Sequence, residues 1–254
     1  MRTRFRHFFS KAKESISFTW IGSKDRKSFR IFVPAGTSFT VDWGNNITET
    51  FIGTKCFYTC TQPVAYDKEE EYTVMIIAKR GCSLLDLSIT SESLTSIDLS
   101  RAPALRELYC EDNRLKTLDV SFNPALVSLS CDLNQLNHLD LTFNPELEIL
   151  FCNSNQLQTI NVTACKKLTE LNCYSNKLTS IDVHNNAELS KLDCYDNQLQ
   201  SLDVSANAEL QTLYCDDNQL ICLDVRNNSK LHTLHCENNL LTTLLHNTIQ
   251  CLLK

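Results

Sequence analysis

Residues 168–188 read LTELNCYSNKLTSIDVHNNAE, and this 21-residue pattern decides the fold of the chain. The pattern of Leu, Cys and Asn recurs without insertion or deletion in seven consecutive copies, which occupy residues 105–251. Each copy contributes one cysteine to an evenly spaced series: Cys110, Cys131, Cys152, Cys173, Cys194, Cys215 and Cys236. A fixed period of this length is the sequence signature of a protein built from stacked structural repeats.

Two incomplete copies flank the seven. Residues 84–104 form a degenerate copy that keeps the spacing of the leucines but has Ile89 at the cysteine position and Glu92 at the asparagine position. Residues 252–254 begin one more copy, which stops at once. The repeat domain is therefore predicted to comprise residues 83–254.

Each copy contains one segment that alternates between apolar and polar residues, as a strand with one buried face does. In residues 107–111, Leu108 and Cys110 are predicted to point inward, and the side chains between them point outward. Asn113 follows where the chain leaves the sheet, and its amide can donate to and accept from the backbone of the bend, so that stacked copies form a ladder. A repeat this short has no room for a helix. The pattern predicts a mainly-β solenoid with a parallel sheet on its concave face, little helix, and an extended return segment or short second strand.

The repeat resembles the leucine-rich repeats of bacterial surface proteins with a cysteine ladder, namely the internalin J-like proteins and surface proteins of gut Bacteroidetes. The resemblance covers residues 84–254, about two-thirds of the chain. It implies a right-handed leucine-rich-repeat solenoid, an extracellular or cell-surface location, and a role in binding or adhesion rather than catalysis.

A different module, the cap module, is predicted over residues 15–82. All five glycines lie before residue 84, and both tryptophans lie within the module. Residues 28–33, 39–43 and 71–78 are typical of short strands that end at turns, which predicts a small immunoglobulin-like β-sandwich. Because a solenoid exposes an apolar end, we expect the cap module to cover the first coil.

A short motif adds a second resemblance within the cap module. The segment VDWGN at residues 41–45, with the later Tyr66 and Tyr72, is similar to the pattern of PKD-like domains. Asn45 departs from the Asp that is usual there. The resemblance implies an immunoglobulin-like fold.

Charge is divided along the chain and limits the kinds of partner. Residues 1–14 are predicted to be a basic tail, and because no apolar segment of about 7–15 residues follows, the tail does not resemble a secretory signal peptide. Residues 84–254 hold 11 Lys and Arg against 22 Asp and Glu, which argues against nucleic acid as the partner. No run of about 18 apolar residues predicts a membrane-spanning helix.

The chain has 13 cysteines, and the seven in the repeats form a line with one thiol per coil. Metal ligands must instead converge on one point, and parallel thiols at the strand spacing of about 4.8 Å lack disulfide geometry. We interpret the line as packing, in which Cys is a small buried hydrophobic residue. Cys165 and Cys222 are interpreted as variation within the repeats, and a disulfide between Cys56 and Cys60 in an exported chain is left open.

The outward positions of the predicted strands form an acidic face that carries a diagonal of aromatic side chains. Aromatic residues are frequent anchors at protein interfaces, and carboxylates attract basic partners. The predicted partner-binding residues are Tyr109, Glu111, Asp112, Phe151, Tyr174, Asp193, Tyr195, Tyr214, Asp216, Asp217, His235 and Glu237.

The sequence therefore predicts a non-enzymatic module that binds a protein or peptide ligand through its concave face. A basic ligand is one option that the prediction includes. No cofactor and no metal are predicted. His232, His235 and Glu237 approach a metal-binding set, but the two histidines should point in opposite directions on a strand. The alternatives left open are an intracellular structural scaffold, a glycan-binding surface, and a homodimer formed through the C-terminal residues 246–254.

Overall fold

A computed structural model describes residues 14–246. The first 13 residues of the predicted basic tail, the incomplete copy at 252–254 and most of the segment predicted for a dimer contact lie outside the described residues. The described chain contains strands and no helix, as the repeat predicts. The strands are β1 (Ser15–Ile21), β2 (Ser28–Phe32), β3 (Ser38–Asp42), β4 (Thr48–Ile52), β5 (Tyr58–Thr61), β6 (Glu71–Ala78), β7 (Asp86–Ser88), β8 (Leu94–Arg101), β9 (Glu107–Tyr109), β10 (Ser128–Ser130), β11 (Ile149–Phe151), β12 (Glu170–Asn172), β13 (Lys191–Asp193), β14 (Thr212–Tyr214), β15 (Cys222–Asp224), β16 (Thr233–His235) and β17 (Thr243–Leu245).

The repeats stack into one parallel sheet with one strand per coil, in the order β7, β9, β10, β11, β12, β13, β14 and β16. Successive strands pair without a register shift, so that Leu108 lies beside Leu129 and Leu129 beside Leu150. These leucines and the ladder cysteines are buried, which confirms the predicted inward positions. The strands are only three residues long, shorter than the alternating segment suggested.

A ladder of asparagines closes the bends of the coils, as the sequence predicts. The Asn134 amide nitrogen donates to the carbonyl oxygen of Cys110 in the preceding coil at 2.9 Å and to that of Cys131 at 3.1 Å. Its side-chain oxygen accepts the backbone N–H of Leu115 at 2.9 Å. Each such asparagine therefore joins two coils through backbone groups that would otherwise lack partners.

The residue before each ladder asparagine explains how seven bends form without glycine. Each has a positive φ between 50° and 55°, in the left-handed region. Short polar side chains, which tolerate this conformation better than branched apolar ones, occupy six of the positions. The seven residues are Asp112, Leu133, Ser154, Ser175, Asp196, Asp217 and Asn238.

The return side of the coils is less regular than the sheet. A short second strand occurs where β15 pairs with β17 in parallel, and a single bridge joins Asn161 to Asp182. A second row of buried asparagines donates to carbonyl oxygens of the preceding coil: Asn123, Asn144, Asn186, Asn207 and Asn228. Cys165 takes the asparagine position in this row, and its thiol lies 3.9 Å from the carbonyl oxygen of Leu141.

The six strands of the cap module divide between two sheets around an aromatic core. Trp20 and Trp43 are fully buried and stacked, with ring centroids 6.4 Å apart. The Tyr66 hydroxyl joins them, because it accepts from the Trp20 indole at 3.0 Å and donates to the Trp43 carbonyl oxygen at 2.7 Å. The three predicted strands match β2, β3 and β6, whereas β1, β4 and β5 were not predicted. The PKD-like resemblance stays a prediction.

Hydrogen bonding is continuous across the predicted boundary at residue 83. Strand β7 of the first coil pairs with β2 of the cap module, so the parallel sheet gains two antiparallel strands, β2 and β5. On the return side, β8 pairs with β1 and extends the other cap sheet. Glu14, the last residue of the predicted tail, is buried and accepts the backbone N–H of Leu84 at 2.9 Å. Strands of residues 15–82 therefore pair with both strands of the first coil, β7 and β8.

The Glu92 substitution in the asparagine ladder is explained by this junction. Its carboxylate accepts the backbone N–H of Ser28 at 3.0 Å and lies 3.4 Å from the Lys27 ammonium group, which is almost fully buried. The first rung of the ladder thus faces the cap module instead of another repeat, and a carboxylate there compensates the charge of the buried ammonium group, which a neutral asparagine would not do.

Candidate functional site

The outward side chains of the parallel sheet form a continuous surface, which we call the concave face. Each coil contributes three side chains to it, so that three columns start at residues 107, 109 and 111 and continue at the 21-residue spacing. The columns contain seven carboxylates: Glu107, Glu111, Asp132, Glu170, Asp193, Asp216 and Glu237. Lys191 is the lysine in these columns, and its ammonium group forms a 2.5 Å ion pair with Glu170. The concave face is therefore acidic, as the sequence predicts, because its columns hold seven carboxylates and one lysine.

Two tyrosines stack at the centre of the concave face. Tyr174 and Tyr195 occupy equivalent positions in neighbouring coils, and their rings are nearly parallel, with centroids 4.5 Å apart. Both side chains are partly exposed. Burial raises the pKa of each hydroxyl, with further increases from nearby carboxylates at Tyr174 and from Tyr174 and then carboxylates at Tyr195, so both stay neutral at physiological pH. The structure thus brings together two of the predicted partner-binding residues.

Asp193 lies beside this pair and is only 8% exposed. One of its carboxylate oxygens is buried without a hydrogen-bond partner, as is the side-chain oxygen of Asn172, its register partner on β12. Burial raises the pKa of Asp193 to about 6, although the charge of Lys191 opposes the rise. Asn172 was not among the predicted site residues, and only the column pattern of the repeat could have indicated it.

The first end of the concave face meets the cap module in a cavity of about 380 Å³. Arg30 of the cap module lies over the ring of Phe57 at 4.9 Å on one side, and Tyr109 and Glu111 lie on the other. One oxygen of Glu111 is buried without a hydrogen-bond partner, and burial raises the pKa of this carboxyl group. Arg30 and Phe57 were not predicted, because no sequence pattern indicates that strand β2 extends the parallel sheet.

The last described coils bring a third group together. Tyr214 and His235 are register partners on β14 and β16, and their rings meet edge to face with centroids 4.8 Å apart. The potential metal-ligating atoms of Asp216, His235 and Glu237 all lie within 4.8 Å of one another. Burial and then the charges of Asp217 and Glu237 raise the pKa of Asp216. His232, which the sequence paired with His235, instead lies 3.1 Å from the hydroxyl of Thr233 and is not part of the group.

The remaining predicted residues have simpler surroundings. Asp112 and Asp217 occupy the left-handed bend position, and their carboxylates accept hydrogen bonds from Ser91 at 2.7 Å and Asn238 at 2.9 Å. Their identity is therefore explained by the bend. Phe151 lies on β11 and is partly exposed.

The cysteine ladder is buried behind this surface. Six of its thiols are free, and burial raises the pKa of each of the six, so they are protonated at neutral pH: Cys110, Cys131, Cys152, Cys173, Cys194 and Cys215. The thiol of Cys110 lies 3.4 Å from the carbonyl oxygen of Ser130 in the next coil, and Cys215 lies 3.3 Å from that of His235. A protonated, buried thiol packs as a small hydrophobic side chain, in agreement with the packing interpretation. Cys56 and Cys60 are free thiols as well.

Comparison with known proteins identifies the fold. No protein-family model matches the chain, and no curated protein matches it. Among solved structures, the functional domain of InlJ from Listeria monocytogenes, described as including a cysteine ladder, is 31% identical with a TM-score of 0.50 over 66% of this chain and 44% of that chain.

Two further structures share the architecture. A leucine-rich-repeat protein of Leptospira interrogans is 25% identical over 60% of this chain and 45% of that chain, with a TM-score of 0.52. An internalin of Listeria monocytogenes, InlF, is 24% identical over 60% of this chain and 52% of that chain, with a TM-score of 0.54. The chain thus spans about half the length of the solved structures that it matches. Within residues 14–246, no helix has the length and hydropathy that a membrane crossing requires. From the repeat register, the asparagine ladder and these likenesses, residues 84–246 form a leucine-rich-repeat solenoid with a cysteine ladder, similar to that of InlJ.

Proposed function

We propose that the chain binds a protein partner through its concave face, with Tyr174 and Tyr195 as the central anchor. The observation that carries the proposal is the stacked, partly exposed tyrosine pair beside the unpaired oxygen of Asp193. Tyrosines supply large contact area at a small cost in conformational entropy, and hot spots at interfaces are enriched in them. The likeness to internalin-type solenoids supports a role in protein binding or adhesion.

The charge of the concave face favours a basic partner. The strand columns hold seven carboxylates and one lysine, Lys191, and the tyrosine pair has Asp193 in the same coil as Tyr195 and Asp216 in the next coil. Complementary charge accelerates association and is weakened by salt. We therefore expect the affinity for the partner to fall as ionic strength rises.

The test is affinity capture followed by a binding measurement. The immobilised chain is used to isolate a partner from the source cell or its host, and the affinity of that partner is then measured by surface plasmon resonance. The double substitution Tyr174→Ala and Tyr195→Ala removes two potential hot-spot residues, each expected to contribute about 2 kcal/mol, so binding should become undetectable. The urea midpoint of the double variant should stay near that of the parent chain.

The return side supplies a matched control. Phe122 and Phe143 are exposed aromatic residues in neighbouring coils at the same 21-residue spacing, with exposed fractions of 53% and 56%. Phe122→Ala with Phe143→Ala should leave the affinity unchanged. Loss of binding in the phenylalanine variant, with retained binding in the tyrosine variant, would show that the partner uses the return side and would refute the concave site. If the parent chain captures only intracellular complexes, the scaffold alternative is favoured.

A further inference from the structure

The C-terminal end of the concave face holds three metal-ligating side chains from two neighbouring coils. We propose that Asp216, His235 and Glu237 together bind one divalent transition-metal ion. Their potential ligand atoms lie within 4.8 Å of one another, so small rotations of the side chains bring all three to one point. The proposal is independent of protein binding by the tyrosine pair.

The repeat register explains why these residues meet. His235 lies on β16 beside Tyr214 of β14, and the ladder continues past the strands, since the Cys215 N–H donates to the His235 carbonyl oxygen at 2.8 Å. The Asp217 N–H likewise donates to the Glu237 carbonyl oxygen at 3.0 Å. Asp216 and Glu237 are thus held in equivalent positions of adjacent coils, two residues beyond the His235 level and on the same face.

The donor set decides the class of ion. An imidazole with two carboxylates suits Zn²⁺ and its first-row neighbours, whereas Ca²⁺ and Mg²⁺ prefer sites made of oxygen ligands alone. Three protein ligands leave at least one coordination position free, and this position opens toward the exposed concave face. Within residues 14–246, no lysine or arginine forms an ion pair with Asp216 or Glu237, so a cation between them would offset their mutual repulsion.

The imidazole distinguishes this group from the other acidic positions. Glu111 and Asp132 occupy the positions of Asp216 and Glu237 in earlier coils, but Ser130 stands at the histidine position there and donates to Asp132 at 2.6 Å. The ring of His235 is also in contact with Tyr214, which restricts its orientation. The solenoid therefore supplies its own comparison site, with two carboxylates and no imidazole.

Metal titration of the full chain tests the proposal. Cys56→Ser, Cys222→Ser and Cys251→Ser are introduced first, because the first two thiols are exposed and the third lies outside the described residues. The protein is stripped with a chelator and titrated with Zn²⁺ at pH 7 by calorimetry, and Co²⁺ absorption is recorded as a second readout. We expect one saturable site per chain and a Co²⁺ spectrum without a thiolate charge-transfer band.

Substitutions at the proposed ligands and at the comparison site give opposite expectations. Even outer-shell partners change metal affinity by about 10–100-fold, so His235→Ala and Glu237→Gln should each weaken Zn²⁺ binding by at least about tenfold. Glu111→Gln and Asp132→Asn should leave it unchanged, and a cooperative urea transition in each of the four variants shows that it is folded. Absence of a saturable site, or equal loss in the comparison variants, would overturn the proposal. Partner capture in the presence of the chelator then shows whether protein binding needs the ion.

Discussion

Asn155 lies in the middle of the asparagine ladder, and its replacement by alanine should cost more stability than any change at the surface of the same coil. The residue is 9% exposed. Its amide nitrogen donates to the carbonyl oxygens of Cys131 at 3.0 Å, Cys152 at 3.2 Å and Asn153 at 3.2 Å. Its oxygen accepts the backbone N–H of Leu136 at 2.9 Å.

The expected loss of stability follows from the number of amide hydrogens on Asn155 and not from the number of acceptor atoms near its nitrogen. The amide nitrogen has two hydrogens for three acceptors, so Asn155 makes about three full hydrogen bonds, each with a net contribution of about 0.5–1.5 kcal/mol. Alanine also leaves the N–H of Leu136 without a partner, and this group then bears a desolvation cost of about 1–3 kcal/mol. Since the surrounding coils relax in part, we expect a loss of about 3–5 kcal/mol in the free energy of unfolding.

Urea unfolding followed by two probes measures this loss. Both tryptophans lie in the cap module, so their fluorescence reports that module, and far-ultraviolet circular dichroism reports mainly the solenoid. With a urea slope of about 3 kcal/mol/M for a chain of this size, the dichroism midpoint should fall by about 1–2 M. Asn137→Ala, at an exposed position in the preceding coil, should change the free energy by less than about 0.5 kcal/mol.

A charged isostere adds a pH test of the same reasoning. In Asn155→Asp, a carboxylate would face carbonyl oxygens, so its pKa in the folded chain should rise above the unfolded value of about 3.9. Stability of this variant is then highest below pH 4 and is lost as the pH rises through the raised value. Asn155→Ala has no such group and should show no added pH dependence. If Asn155→Ala shifts the midpoint no more than Asn137→Ala, the ladder does not hold the coils together and the reasoning is wrong.

Three further predictions concern the bend, the thiols and a buried acid. Leu133 has a φ of 53° and is 52% exposed, so Leu133→Asn should raise the free energy of unfolding by about 1 kcal/mol in urea titrations. Iodoacetamide at pH 8 should modify the exposed Cys56 long before the buried, protonated Cys152, as mass spectrometry of native protein would show. Asp193→Asn should stabilise the chain at pH 7.5 and have little effect at pH 4, because burial raises the Asp193 pKa to about 6 and its contribution is lost as the pH rises through that value. An equal effect of Asp193→Asn at both pH values would contradict that assignment.

The repeat domain was predictable because one physical requirement recurs in every coil. In each coil, residues such as Leu108 and Cys110 are buried and a residue such as Asn113 closes a bend. Because the same positions recur in seven copies, a single sequence is enough to recognise the pattern. The left-handed bend residues were not predicted, since Asp112 and Leu133 share no side-chain property. They share only a backbone conformation, which one sequence does not display.

The junction was not predictable from periodicity. Strand β1 was not predicted although Gly22 and Ser23 follow it, and its partners β6 and β8 lie about 50 to 80 residues from it in the chain. In the repeat pattern, Glu92 stands at an asparagine position and was interpreted as a degenerate residue. Its carboxylate contacts Lys27 and Ser28, which are distant in sequence. Contacts of this kind arise when two modules pack, so neither module's pattern contains them.

The candidate site was predictable only in part, for a related reason. The column positions of Tyr174 and Tyr195 follow directly from the repeat, and the structure stacks the two rings. The repeat also places Asp216 and Glu237 in adjacent coils, but the sequence analysis considered His235 and Glu237 only with His232 and predicted no metal. Asp216 joins His235 and Glu237 because the stacking of coils brings a residue 19 positions away in the sequence next to His235.

This geometry separates what the solenoid needs from what a partner can recognise. Burial and backbone closure restrict Leu, Cys and Asn in the coils, and at the one cysteine of the second asparagine row the Leu141 carbonyl oxygen still accepts the Asn144 N–H at 3.1 Å. The outward strand positions are less restricted, since their side chains are not packed into the core. Aromatic and acidic residues accumulate there without being required by the fold, and this departure from the repeat consensus supports the proposal that the concave face binds a partner.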